Sequence, residues 1–148
     1  MAFFRVAGLI EAPPSRVWDL LRDWEGSARW MVDATSVEVV GPQREGVGTK
    51  VRAVTKIAGI ALRDHFTVTG WEPERMIAIM HHRWPIRGLA WWELEPAGSG
   101  TFFEWAEELD PPFGSLGEFG GSVLRRPIER VLAASMRKLK ALAETGAV

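Results

Sequence analysis

The chain has 148 residues, 47% hydrophobic and 25% charged, which is the size and balance of one folded domain over 1–148. Its 18 basic and 19 acidic side chains leave a net charge of −1, so no overall charge draws it to nucleic acid or to an anionic membrane. The absence of cysteine excludes disulfides, thiol nucleophiles and thiolate-held metal centres, and it suits a cytoplasmic protein.

Phe3 to Glu11 is a short apolar run that reads as a first strand. Arg5 and Glu11 break it, and no basic region leads it, so it is not a signal peptide. No stretch of the chain approaches the roughly 20 apolar residues of a membrane span, and no stable membrane insertion is expected. Ala12-Pro13-Pro14 stops the strand and opens a helix, because proline in a first turn sacrifices no hydrogen bond. Val17, Leu20, Leu21 and Trp24 then recur at helical spacing. After Gly26, Ser27 to Met31 carries a second short helical turn.

Period-two alternation takes over beyond Ala34. A strand around Val37 and Val39 is followed by a turn at Pro42 to Gly48, a strand from Lys50, and a hairpin tip at Ile57 to Ile60. Leu62, Asp64, Phe66, Val68 and Gly70 share one face of the next strand, and Trp71 to Glu74 is a turn. Met76, Ala78, Met80 and His82 share a face of the fifth strand; Ala90, Trp92 and Leu94 share one of the sixth, after a bend at Trp84 to Gly88. A turn at Pro96 to Gly100 leads to the seventh, where Phe103, Trp105, Glu107 and Leu109 share a face. Asp110-Pro111-Pro112 ends it, and the glycine-rich Phe113 to Gly121 reads as a mobile flap. Ser122 to Glu144 is a long amphipathic helix with an apolar stripe through Leu124, Ile128, Leu132, Leu139 and Leu142, interrupted by Pro127. Short turns imply antiparallel neighbours, and the one long helix is available to cover the broad apolar face of the sheet.

The segment Ala12-Pro13-Pro14-Ser15-Arg16-Val17-Trp18-Asp19-Leu20-Leu21, with Asp23 and Trp30 after it, resembles the opening of the START/Bet v1-like (SRPBCC) superfamily, in particular its polyketide cyclase/dehydrase and lipid-transport branch. Gly46-Val47-Gly48-Thr49, Trp71-Glu72-Pro73-Glu74, Leu94-Glu95-Pro96 with Gly100-Thr101, and the Leu-rich final helix extend the resemblance over nearly the whole chain. It implies an α+β helix-grip fold. A curved seven-stranded antiparallel sheet wraps a long C-terminal helix, two short helices lie between strands 1 and 2, and a deep apolar cavity opens between sheet and helix. Members bind lipids, sterols, polyketides, quinones or plant hormones, and a few close or dehydrate polyketide rings. No shared catalytic triad comes with the family.

The inward phase of the strands places Asp64, His82 and Glu107 among apolar neighbours. Burial raises an acid's pKa and suits it to general acid or base work, so these three are the candidate catalytic residues. The alternative is that they sit at strand ends near solvent, or satisfy one another. Trp30, Phe66, Met80, Trp92, Phe103, Trp105, Phe113 and Leu132 are the candidate ligand-binding wall. Eight tryptophans and no tyrosine fit either dense core packing or a wide aromatic cavity. With three histidines, two of them adjacent, no metal site is expected, and no cofactor. The basic residues of the last helix read as a solvated face. Trp91, opposite in phase to Trp92, would form an outer patch for a partner; a monomer or weak homodimer is expected. The first functional reading is binding of a hydrophobic small molecule of lipid, polyketide, aromatic or isoprenoid type. The alternative is a polyketide cyclase, aromatase or dehydratase.

Overall fold

A computed structural model describes residues 2–57, 59–83, 86–110 and 114–146, with the side chains of 57, 83, 86 and 114–124 outside that description. Strand β1 (Ala2–Ile10) leads into helix α1 (Pro14–Arg22), and a single 3-10 turn (Glu25–Arg29) takes the place of the second short helix. Six strands follow: β2 (Ala34–Val40), β3 (Lys50–Ile57), β4 (Ile60–Glu72), β5 (Met76–Arg83), β6 (Ile86–Ala97) and β7 (Gly100–Leu109). The chain closes with α2 (Gly114–Thr145). All seven strands form one antiparallel sheet in the order β1-β7-β6-β5-β4-β3-β2, so the first strand returns to pair with the last. This is the helix-grip architecture.

Helix α2 begins at Gly114 and runs through Pro127, so the glycine-rich segment from Gly114 to Gly121 is helical rather than a loop. Pro13 and Pro14 sit at the entry to α1, whose Val17, Trp18, Leu20 and Leu21 are buried. Arg16 donates to the carbonyls of Leu142 and Ala143, and Gly146, at a φ of 70°, donates to Leu142. These bonds satisfy carbonyls that the end of α2 would otherwise leave open. Farther up the helix, Ser135 Oγ accepts a 3.0 Å bond from the Val32 backbone N–H. The C-terminal half of α2 is thereby fixed against α1 and the segment that enters β2.

A bulge between Val68 and Gly70 resets the register of β4 against β5, and it decides what faces the core. Past it, Trp71 pairs with the buried Ile77 and packs edge-on against Trp18 at 5.0 Å. In β5 the inward residues are Ile77, Ile79 and His81, whereas Met80 is 40% exposed and His82 lies on the outer face, bonded to Thr67 Oγ1 at 2.7 Å. The expected phase of this strand was opposite. Both of its alternating sets are mostly apolar, so alternation carried no contrast; β-branched Ile77 and Ile79 took the interior over the flexible methionines.

Gly88 holds β6 between His81 of β5 and Leu109 of β7. Its φ is 136°, and an added Cβ would stand 2.1 Å from the Glu108 carbonyl oxygen. Gly88→Ala should therefore cost about 2 kcal/mol or more, read as a lowered urea midpoint, with loss of the His81 environment by NMR. An unchanged midpoint would show that the strand relaxes there freely.

Candidate functional site

The concave face of the sheet and the middle of α2 enclose an apolar cavity of about 120 Å³. Tryptophans occupy much of the space that sheet curvature opens. Trp30 is fully buried, 5.5 Å from Trp92 and 5.8 Å from Trp105 between ring centres, and those two rings meet at 6.0 Å. Trp24 extends the cluster to Phe66 at 5.8 Å. The tryptophans thus serve both readings of the composition: Trp30 is core, while Trp24, Trp92 and Trp105 present surface to the cavity. On the outer face, Trp91 leans on Phe3 at 6.4 Å between ring centres.

Of the expected wall, Phe66, Trp92, Trp105 and Leu132 line the cavity. Trp30 and Phe103, each fully buried, lie behind it, and Met80 is on the opposite side of the sheet. Phe113 lies outside the described residues. Of the expected acid–base groups, Asp64 and Glu107 line the cavity and His82 does not; the histidine there is His81. Asp33, which strand periodicity does not single out, joins them from the loop before β2. Its signal was present: an acid between Val32 and Ala34, just past the tryptophan-bearing turn. No group of three or more metal-ligating side chains is found among the described residues, nor a helix long and apolar enough to cross a membrane.

Asp64 and His81 are diagonal neighbours across the β4–β5 pair, since His81 sits opposite Phe66. His81 Nδ1 donates to Asp64 Oδ1 at 2.8 Å, and both side chains are more than nine-tenths buried. An ionised carboxylate can only accept, so the bond places the ring proton on Nδ1. It leaves Nε2 with no hydrogen-bond partner among the described residues. Burial disfavours the imidazolium, but the bond to Asp64 and the charges of Asp64 and Glu107 outweigh it and raise the pKa of His81. Glu107 is pushed up to about 7: burial acts first, the positive charge of His81 opposes it, and Asp33 and Asp64 push further. Asp33 is also raised, by burial and then by Asp64. Near neutral pH the cavity therefore holds a carboxyl that is protonated over part of that range, beside a carboxylate-held imidazole. That pair can give and accept protons on one bound molecule.

The family model for polyketide cyclase/dehydrase and lipid transport matches residues 1–144. No curated protein matches the chain in sequence. Among solved structures, TTHA0849 from Thermus thermophilus superposes with a TM-score of 0.85 at 22% identity, over 99% of this chain and 100% of that one. A START superfamily protein from Mycobacterium smegmatis gives 0.79 at 13% identity, over 98% of this chain and 99% of that one. The Zhui aromatase/cyclase from Streptomyces sp. R1128 gives 0.77 at 19% identity, over 97% and 93%. At these identities the likeness is one of fold.

Proposed function

Because the chain belongs to the polyketide cyclase/dehydrase and lipid-transport family, we propose that it binds a hydrophobic small molecule between sheet and α2 and moves a proton on it. The observation that carries this reading is the Asp64–His81 pair and Glu107 facing one apolar cavity. Titratable groups in such a place cost stability, and a packed apolar wall would serve a purely structural role better.

The chemistry follows from the proton inventory. His81 Nε2 is a lone-pair acceptor when Nδ1–H is held by Asp64. Glu107 carries a donatable proton over part of the neutral range. For a β-hydroxy carbonyl ligand, Nε2 removes the α-hydrogen and the Glu107 carboxyl protonates the departing hydroxyl. A C–H and a C–O bond break, a C=C bond forms, and water leaves. The proton on His81 then returns to Glu107 through solvent. The wall of Phe66, Trp92, Trp105 and Leu132 supplies binding through apolar burial, about 25 cal/mol per Å².

Two measurements test the two halves. Native mass spectrometry of detergent-free protein should detect a retained mass of a few hundred daltons that solvent extraction removes, or uptake of an added aryl ketone. Deuterium exchange at the α-carbon of 2-indanone in D₂O, followed by NMR, should be accelerated by the protein, and His81→Gln should lower that rate about 10²-fold or more. His82→Gln should leave it unchanged. Equal exchange in His81→Gln and the parent would remove the catalytic half and leave a binding protein.

A further inference from the structure

The polar equipment of the cavity is one-sided. Its wall carries the carboxyl groups of Asp33, Asp64 and Glu107 and the imidazole of His81, and no lysine or arginine among the described residues. The Arg–acid pairs of the chain, such as Arg5–Glu104, Arg22–Glu45 and Arg52–Glu38, are spent on its surface. Within the cavity Asp64 has a partner, His81. Nε2 of that nine-tenths-buried ring is a further acceptor only while the ring is neutral. Apart from Ser27 and Thr55, what remains of the wall is apolar and aromatic, with Trp24, Trp92 and Trp105 together.

We propose that the ligand of this cavity is a small arylalkyl amine, bound as its ammonium ion with the charge among Asp33, Asp64 and Glu107 and the ring among the tryptophans. The inference rests on the cavity being the binding site and goes beyond that reading by placing a basic nitrogen on the ligand. A carboxylate or phosphate ligand, such as a fatty acid, would set its charge beside three acids, with His81, already held by Asp64, the one basic side chain on the described wall, and like charges in a low-dielectric site repel strongly. A neutral ligand suits the cavity while Glu107 is protonated, but above its value of about 7 the ionised acids outnumber His81. An ammonium supplies the missing positive charge and further N–H donors to the carboxylates. The indole faces add attraction for a cation at close range. Size points the same way. An apolar hole of roughly 150 Å³ accepts a benzene ring, so about 120 Å³ limits the buried part of the ligand to about one ring. A ligand of three or more fused rings or a long acyl chain would need the tryptophan cluster to part.

Three probes of one shape separate the possibilities: phenethylamine, 2-phenylethanol and hydrocinnamate. They are titrated against tryptophan fluorescence and amide NMR shifts at about pH 8, above the value of about 7 at which Glu107 titrates. Phenethylamine should bind roughly tenfold or more tighter than the alcohol, with hydrocinnamate weakest. Its shifts should centre on β4, β5 and β7. Glu107→Gln and, separately, Asp33→Asn should each narrow the gap between amine and alcohol while leaving the alcohol's affinity in place. Circular dichroism checks that both variants fold. If the alcohol or the acid binds as tightly as the amine, the charge preference falls and the binding cavity stands. If none of the three binds at millimolar concentration, the amine proposal falls. Native mass spectrometry then decides separately whether the cavity holds anything.

Discussion

Glu107→Gln should make the protein more stable in mild alkali and leave it nearly unchanged in mild acid. A carboxyl raised from 4.5 to about 7 on folding binds its proton more tightly in the folded chain than in the unfolded one. Between those two values the folded state holds more protons, so stability falls as pH rises, and the full penalty is reached above the folded value. The shift corresponds to about 3 kcal/mol at its upper bound. Asp33 and His81 act in the same sense: each has a raised pKa, so each contributes stability that fades as pH climbs through its folded value. The parent should therefore lose melting temperature from about pH 5 to pH 8. The glutamine variant should lose less, ending several degrees above the parent at the alkaline end. Calorimetry at four or five pH values reads this directly. Parallel curves for parent and variant would mean that Glu107 titrates normally and that the cavity is wetter than its apolar lining implies. His82→Gln is the internal control, since His82 sits on the outer face beside Thr67.

How much of this was legible beforehand follows from contrast in the pattern. In β4, β6 and β7 the inward and outward sets differ sharply. Asp64, Phe66 and Val68 alternate with Arg63, His65 and Thr67, and Trp105 and Glu107 alternate with Glu104, Ala106 and Glu108. Those strands placed Asp64, Glu107, Phe66, Trp92 and Trp105 on the concave face from sequence. In β5 the contrast is absent, and one residue of phase puts His81 rather than His82 on the cavity wall. The bulge in β4 compounded this. It shifts the pairing by one residue between Val68 and Gly70, and no local signal beyond a glycine marks it. Asp33 was missed for a different reason. It belongs to a loop, where periodicity says nothing, and it reaches the cavity because the 3-10 turn and the Val32–Ser135 bond draw that loop against α2. Trp30 and Phe103, expected on the ligand-binding wall, are buried behind it, because facing the core and facing the cavity are the same sequence signal. Only the packing of Trp30 against two other tryptophans separates them.

Asp64→Asn is expected to be the most damaging single change among the site residues, and its cost should be shared with His81 rather than added to it. Breaking a buried, hydrogen-bonded charge pair from one side costs about 3–5 kcal/mol, because the remaining member keeps its burial and loses its partner. Here the remaining member is His81, whose raised pKa depends on Asp64 for both its hydrogen bond and the larger of its two charge interactions. Without that support, only the charge of Glu107 opposes burial, which is the largest of the influences on the ring, so the imidazole pKa should fall. NMR titration of the ring protons reads this shift, and a purely structural role for Asp64 would not produce it. The double variant with His81→Gln should be less destabilised than the sum of the two single changes by more than about 1 kcal/mol, since both remove one interaction. Simple additivity, with the His81 titration unmoved by Asp64→Asn, would mean that the 2.8 Å contact contributes nothing and that the histidine is set by burial. With coupling present, catalysis and stability separate cleanly. Asp64→Asn should slow α-hydrogen exchange most where His81 must act as base with its Nδ1 proton held. The same variant should leave binding of 2-phenylethanol nearly intact, because the wall of Phe66, Trp92, Trp105 and Leu132 that buries the ring is untouched.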